Sequence, residues 1–122
     1  MKIIVTHASS FDFEKEFYVP LKAVVEGTGH ELIFPHVWHE QKKSTKEFLK
    51  DAGLVIGEVS FPSTGQGIEL GWADMLNVPT LFLRKQGAKS SSALNYLRGE
   101  YIDYSDESDL ITKTRAFLSS RT

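Results

Sequence analysis

Three short apolar runs, Ile3-Ile4-Val5, Leu54-Val55-Ile56-Gly57-Glu58-Val59 and Thr80-Leu81-Phe82-Leu83, constrain the fold of this chain more than any other feature. Each is short and continuous rather than alternating, the pattern of a strand buried on both faces. Segments of helical period lie between them. Phe13, Phe17, Leu21, Val24 and Val25 recur at helical spacing, and Pro20 marks a kink or a fresh helical start. Ile68, Trp72, Met75 and Leu76 fall on one face of a helix expected to begin near Gly67. Glu31 to Phe34 and Tyr101 to Tyr104 read as further strands, the last at an edge. Lys42 to Lys50 reads as a polar helix, Arg84 to Ser92 as a polar loop and Ala93 to Arg98 as a short helix. Leu110, Ile111, Thr114, Phe117 and Leu118 outline a final amphipathic helix.

Strands separated by helices imply a parallel sheet with right-handed crossovers and helices on both faces. The expectation is an α/β fold, a flavodoxin/Rossmann-like three-layer sandwich with a five-stranded parallel sheet in the order 2-1-3-4-5. The 122 residues suffice for one domain, 1–122, with one real core. A net charge of −2 leaves no basic surplus for an obligatory nucleic-acid partner. The absence of cysteine excludes disulfides, thiolate metal sites and cysteine catalysis. No signal-peptide pattern or long apolar run is present, so the expected setting is the cytoplasm, away from membranes.

In that strand order the switch point lies between strands 1 and 3, where open α/β sheets bind ligands. The loops facing it are His7-Ala8-Ser9-Ser10 and Ser60 to Gly67, both small and hydroxyl-rich. Ser63, Gly65 and Gly67 offer a hydroxyl and close backbone approach, as an anion cradle requires. Ser63 also reads as a helix cap, with Gln66 completing a capping box. Glu69 falls in the expected first helical turn, where the dipole keeps a carboxylate ionised and suited to act as nucleophile or cation stabiliser.

Val55 to Ala73, VIGEVSFPSTGQGIELGWA, resembles the core motif of the nucleoside 2-deoxyribosyltransferase superfamily, closest to the branch of 2′-deoxynucleoside 5′-monophosphate N-glycosidases. The likeness extends more loosely through Pro79 to Phe82 and Ser92-Ala93-Leu94, roughly the C-terminal two thirds. It implies that Glu69 attacks the anomeric carbon, that Ser63 binds the 5′-phosphate and that a serine near Ser92 reaches the phosphate from the partner of a homodimer. The implied activity is cleavage or transfer of the N-glycosidic bond of a nucleotide or nucleoside, with no cofactor and no metal. The Arg84 to Ser92 segment is a further candidate phosphate cradle.

The chain departs from the family pattern at two points. The first strand leads into Thr6-His7-Ala8-Ser9-Ser10, with neither the tyrosine nor the arginine of the family. An assisting aspartate is expected near Thr45, where no carboxylate stands; Glu40 and Glu47 are merely close in sequence. His7, at the carboxyl end of strand 1, is the candidate replacement, with Ser9 and Ser10 as substrate-binding candidates. The other reading of His7 is a hydrogen bond to its own loop. Asp12 reads as a helix cap, Trp72 as core or dimer interface, and Trp38 as a stacking or lid residue. His36 and His39 have metal-like spacing but no third ligand. The alternative function is a family member that binds a nucleotide-like ligand without turnover. A purely structural domain is the second alternative, and a flavin protein is disfavoured because Glu69 would oppose the phosphate.

Overall fold

The computed structural model describes residues 1–35 and 45–121. Five strands, β1 Lys2–His7, β2 Glu31–Ile33, β3 Leu54–Glu58, β4 Thr80–Lys85 and β5 Glu100–Tyr104, form one sheet in the order β2-β1-β3-β4-β5. Every pairing is parallel. The expected order and fold class are therefore observed. The apolar runs are buried along their length because side chains of alternate residues enter two different cores. Ile3, Val5, Leu54, Ile56, Leu81 and Leu83 pack on one face against Leu21, Val24, Leu110, Phe117 and Leu118. Ile4, Val55 and Phe82 pack on the other against Leu49, Leu70 and Ala73.

The helices supply those partners. A π-helical turn, Glu14–Tyr18, runs into α1, Val19–Val25, with Pro20 in the first turn of α1. Proline lacks an N–H and its ring crowds the carbonyl four residues back, so the wider turn accommodates it, with Val19 N–H reaching Glu14 O. Pro20 thus marks a fresh helical start. α2, Thr45–Leu49, and α3, Thr64–Met75, cover the second face. A single 3₁₀ turn, Ser92–Tyr96, precedes β5, and α4, Glu107–Ser120, closes the first face. Asp12 caps the π turn only through a long 3.4 Å contact from Lys15 N–H.

α3 departs from expectation in two respects. It begins at Thr64, not near Gly67, because Ser63 is its cap and accepts from Gln66 N–H at 3.3 Å. Its inward face is Gln66, Leu70 and Ala73, whereas Ile68, Met75 and Leu76 are exposed at 50%, 81% and 47%. The apolar stripe read from the sequence therefore points outward, and Trp72 is only half-buried. What fixes this rotation is Gly57, where a Cβ would lie 3.0 Å from Thr6 Oγ1 and 3.4 Å from Leu70. That gap lets the helix dock close to the sheet. Gln66 Nε2 donates to Glu58 O at 2.8 Å and to Thr6 Oγ1 at 3.3 Å, which pins it there. Gln66 is thus a cross-link to β1 and β3, and no capping box forms. Among the described residues no helix is long and apolar enough to cross a membrane.

Candidate active site

Glu69 is the sixth residue of α3, so it stands in the second turn rather than the first. The helix field falls off within the first turn, and the dipole argument for its ionised state loses weight. A different contact replaces it. The Thr45 hydroxyl, buried at the start of α2, donates to Glu69 Oε2. Thr45 can donate to Oε2 and still accept elsewhere, and its donation favours the carboxylate form. The position at which the family pattern calls for an aspartate thus does face Glu69, with a hydroxyl in place of the acid. Lys46, the next residue, lies over the Trp72 ring at 5.7 Å and helps seat α2 on α3.

His7 ends β1 and is 8% exposed. Its Nδ1 lies 2.8 Å from Ala8 O, an oxygen that can only accept, so Nδ1 carries the proton. In the neutral ring Nε2 then accepts, and Tyr18 Oη donates to it at 2.5 Å. Phe13 stacks on the imidazole at 4.2 Å, with Phe11 and Phe17 edge-on. Burial, then the charges of Glu14 and Glu69, hold the Tyr18 phenol well above its usual range. Tyr18 therefore stays protonated across the ordinary pH range, bonded to His7. The expected hydrogen bond of His7 to its own loop is present, through Nδ1 to Ala8 O.

The phosphate candidates lie on the other flank of α3. A cleft of about 560 Å³ is lined by Ser63, Thr64, Gly67 and Ser91, with Phe61 and Leu94 among its apolar walls. Ser92 is exposed at the start of the 3₁₀ turn and is not part of the lining; Ser91 both lines the cleft and caps that turn. Gly65 and Gly67 belong to α3 rather than to a loop, and a Cβ on either would meet nothing within 4 Å. Ser9 and Ser10 are exposed beyond β1. Thus Ser63 and Gly67 line one cleft, of which Glu69, bonded to Thr45, is not a lining residue. The loops after β1 and β3 meet through Phe11 and Phe61, stacked at 5.0 Å.

The basic loop candidate is engaged elsewhere. Arg84 binds Asp103 through Nε at 2.7 Å and Nη2 at 3.3 Å, and its Nη1 donates to Ser90 Oγ. That pairing pulls the Asp103 carboxyl below its usual range. Lys85 pairs with Glu16 at 3.2 Å. His36, Trp38, His39 and Glu40 lie outside the described residues. Sequence reasoning did not single out Tyr18, it held Ser91 only as part of the Arg84 to Ser92 segment, and it named Thr45 only for the carboxylate it lacks. A tyrosine beside Pro20 and a serine in a Ser-Ser-Ser run carry no signal of their own.

No protein-family model matches the chain. Over 43 residues, 35% of the chain, it is 42% identical to a protein of Syntrophotalea carbinolica named "Putative 2′-deoxynucleoside 5′-phosphate N-hydrolase 1". The match spans 30% of that relative's length. The Clostridium botulinum CMP N-glycosidase BcmB superposes with a TM-score of 0.71 over 93% of this chain and 98% of its own, at 19% identity. The Francisella novicida lysine decarboxylase LdcF shares the fold over 98% of this chain but 16% of its own, with a TM-score of 0.63 and 11% identity. At such identities the structural likenesses speak for the fold. The sequence match, over about a third of the chain, agrees with the resemblance of Val55 to Ala73 to the nucleoside 2-deoxyribosyltransferase superfamily.

Proposed function

We propose that the protein cleaves the N-glycosidic bond of a (deoxy)nucleoside 5′-monophosphate or nucleoside, with Glu69 as nucleophile. The observation that carries this reading is the half-buried Glu69 carboxylate held by Thr45, near enough to Tyr18, the partner of His7, for its charge to act on that phenol. The names of the Syntrophotalea relative and of BcmB, an N-hydrolase and an N-glycosidase of nucleotides, point the same way. A bond forms between a Glu69 oxygen and the anomeric carbon while the bond to the base breaks, its electron pair passing to the base nitrogen. With His7 as imidazolium, Nε2–H donates to Tyr18, and the Tyr18 proton goes to the departing base while His7 returns one to Tyr18. Water then adds to the anomeric carbon, releases Glu69 and gives its proton back through Tyr18 to His7. Such acid–base assistance contributes roughly 10² to 10⁴ in rate.

Ser63 and the first turn of α3, with Gly65 and Gly67 leaving room, take the phosphate in this reading. Ser9, Ser10 and Ser92 keep their substrate-binding roles only where a second copy or the ligand draws them in. A homodimer belongs to the same reading, supported by exposed Ile68, Met75 and Leu76 on α3 and by Tyr96, 90% exposed. Sedimentation at micromolar concentration checks it, and a monomer at all concentrations removes it.

The decisive experiment is free-base release from a panel of deoxy- and ribonucleoside 5′-monophosphates and free nucleosides, with Glu69→Ala in parallel. Release by the wild type that vanishes in Glu69→Ala is expected. The second reading, a binder without turnover, is favoured by the absence of Glu69 from the lining of the cleft that holds Ser63 and Ser91. It predicts nucleotide-induced thermal stabilisation, no base release and no effect of Glu69→Gln.

A further inference from the structure

Glu58 is fully buried, and the chemistry above leaves it without a task. It ends β3 in register with His7, and the two residues have the same parity as Leu54 and Ile56 on one strand and Ile3 and Val5 on the other. Their side chains therefore leave the same face of the sheet on adjacent strands, roughly 5 Å apart at the backbone. Both oxygens of Glu58 accept from groups that donate: Ser60 N–H reaches Oε1 at 2.6 Å, and Tyr104 Oη–H reaches Oε2. Both carboxyl oxygens are thus hydrogen-bonded, one of them by a main-chain N–H that can only donate. Burying a carboxylate charge is costly unless it is hydrogen-bonded or paired, and an apolar side chain would fill the space more cheaply.

We propose that Glu58 is a positioning residue of the Glu69 site, the buried counter-charge that lets His7 take up a proton. The proposal rests on the glycosidase reading for its consequence, though not for its test. Protonation of His7 reverses the His7–Tyr18 hydrogen bond. In the neutral ring Nε2 accepts from the Tyr18 hydroxyl. In the imidazolium Nε2–H donates, and the Tyr18 proton is turned outward to the site. Burial alone drives a histidine towards its neutral form, so a charge of opposite sign beside it is what the proton relay needs. Among the described residues, the following titratable and charged groups stand near His7. Tyr18 faces it from the π turn and Glu58 from β3, with Tyr104 of β5 behind Glu58. Glu14 and Glu69 lie near enough to Tyr18 for their charges to add to the effect of burial on its phenol. The Lys85–Glu16 pair lies beyond the Phe11 ring, with Lys85 Nζ 5.9 Å from its centroid.

The test is an NMR titration of the His7 Cε1–H resonance, assigned by its loss in His7→Gln, in wild type and Glu58→Gln. The wild-type midpoint is expected at or above about 6.5 despite burial. In Glu58→Gln it is expected to fall by about one unit, with kcat/KM at pH 8 lowered about tenfold. A merely structural role for Glu58 would change stability and leave the midpoint in place. Equal midpoints in the two proteins overturn the proposal. Should Glu58→Gln fail to fold, the wild type decides alone, and a midpoint below about 5.5 overturns it. The titration needs no turnover. Absent base release with a Glu58-dependent midpoint would therefore sink the glycosidase reading and leave this pair intact.

Discussion

Gly67→Ala tests whether the glycines of α3 serve the fold or a ligand. Gly67 is in the body of the helix, and an added Cβ would meet nothing within 4 Å. Alanine is better than glycine in a helix by about 1 kcal/mol, so the fold alone would gain from the change. For 122 residues the unfolding entropy is about 0.26 kcal/mol/K, and that gain converts to a rise of about 4 °C in Tm. Gly67 also lines the cleft with Ser63 and Ser91. A nucleotide at a hundredfold its Kd adds about 2.7 kcal/mol, or about 10 °C, to the wild type. If the new methyl weakens binding tenfold, the ligand shift drops to about 5 °C. Differential scanning fluorimetry with and without nucleotide reads both effects. A variant that melts higher and keeps the full ligand shift would refute the assignment of this cleft to the ligand. A variant that melts lower would refute the account of the helix itself.

Other expectations follow from individual contacts. Tyr104→Phe removes a donor from the buried Glu58 carboxylate; a hydrogen bond to a charged group contributes about 1.5 to 3 kcal/mol, so Tm falls by about 6 to 12 °C, and a change within 2 °C contradicts it. Gly57→Ala forces a Cβ to within 3.0 Å of Thr6 Oγ1 and should destabilise by about 1 to 3 kcal/mol in denaturant unfolding, where an unchanged midpoint would show that α3 can retreat. The phenols of Tyr18 and Tyr104 are both raised above the ordinary tyrosine range, each chiefly by burial. Their stabilisation is complete below about pH 10 and declines as pH rises towards their folded-state values. Tm is therefore expected to fall above about pH 10, less steeply in Tyr18→Phe, and identical slopes would exclude Tyr18 as a contributor.

The outward turn of α3 shows where pattern reading loses its hold. Ile68, Trp72, Met75 and Leu76 form the more apolar stripe by sequence, yet Gln66, Leu70 and Ala73 face the sheet. Helical period identifies a helix, but its rotation follows from how closely it can approach its neighbours. Gly57 and the Gln66 bonds to Thr6 and Glu58 decide that approach, and each involves a partner strand. The same holds for Thr45, whose value lies in a hydroxyl aimed at a residue 24 positions later. The motif around Ser63 and Glu69 was legible because its parts are local: a strand end, a capping serine and a helix share one stretch of chain.

By itself the sequence determined the strand runs, their parallel order and the strand–cap–helix unit bearing Glu69, since burial on both faces and short-range capping are written in consecutive residues. Tertiary structure decided which groups meet Glu69, that Ser91 rather than Ser92 joins Ser63, and that Glu58 lies beside His7. Those contacts join residues on different strands and helices. Their geometry is set by packing distances of a few tenths of an ångström, which no one-dimensional pattern carries.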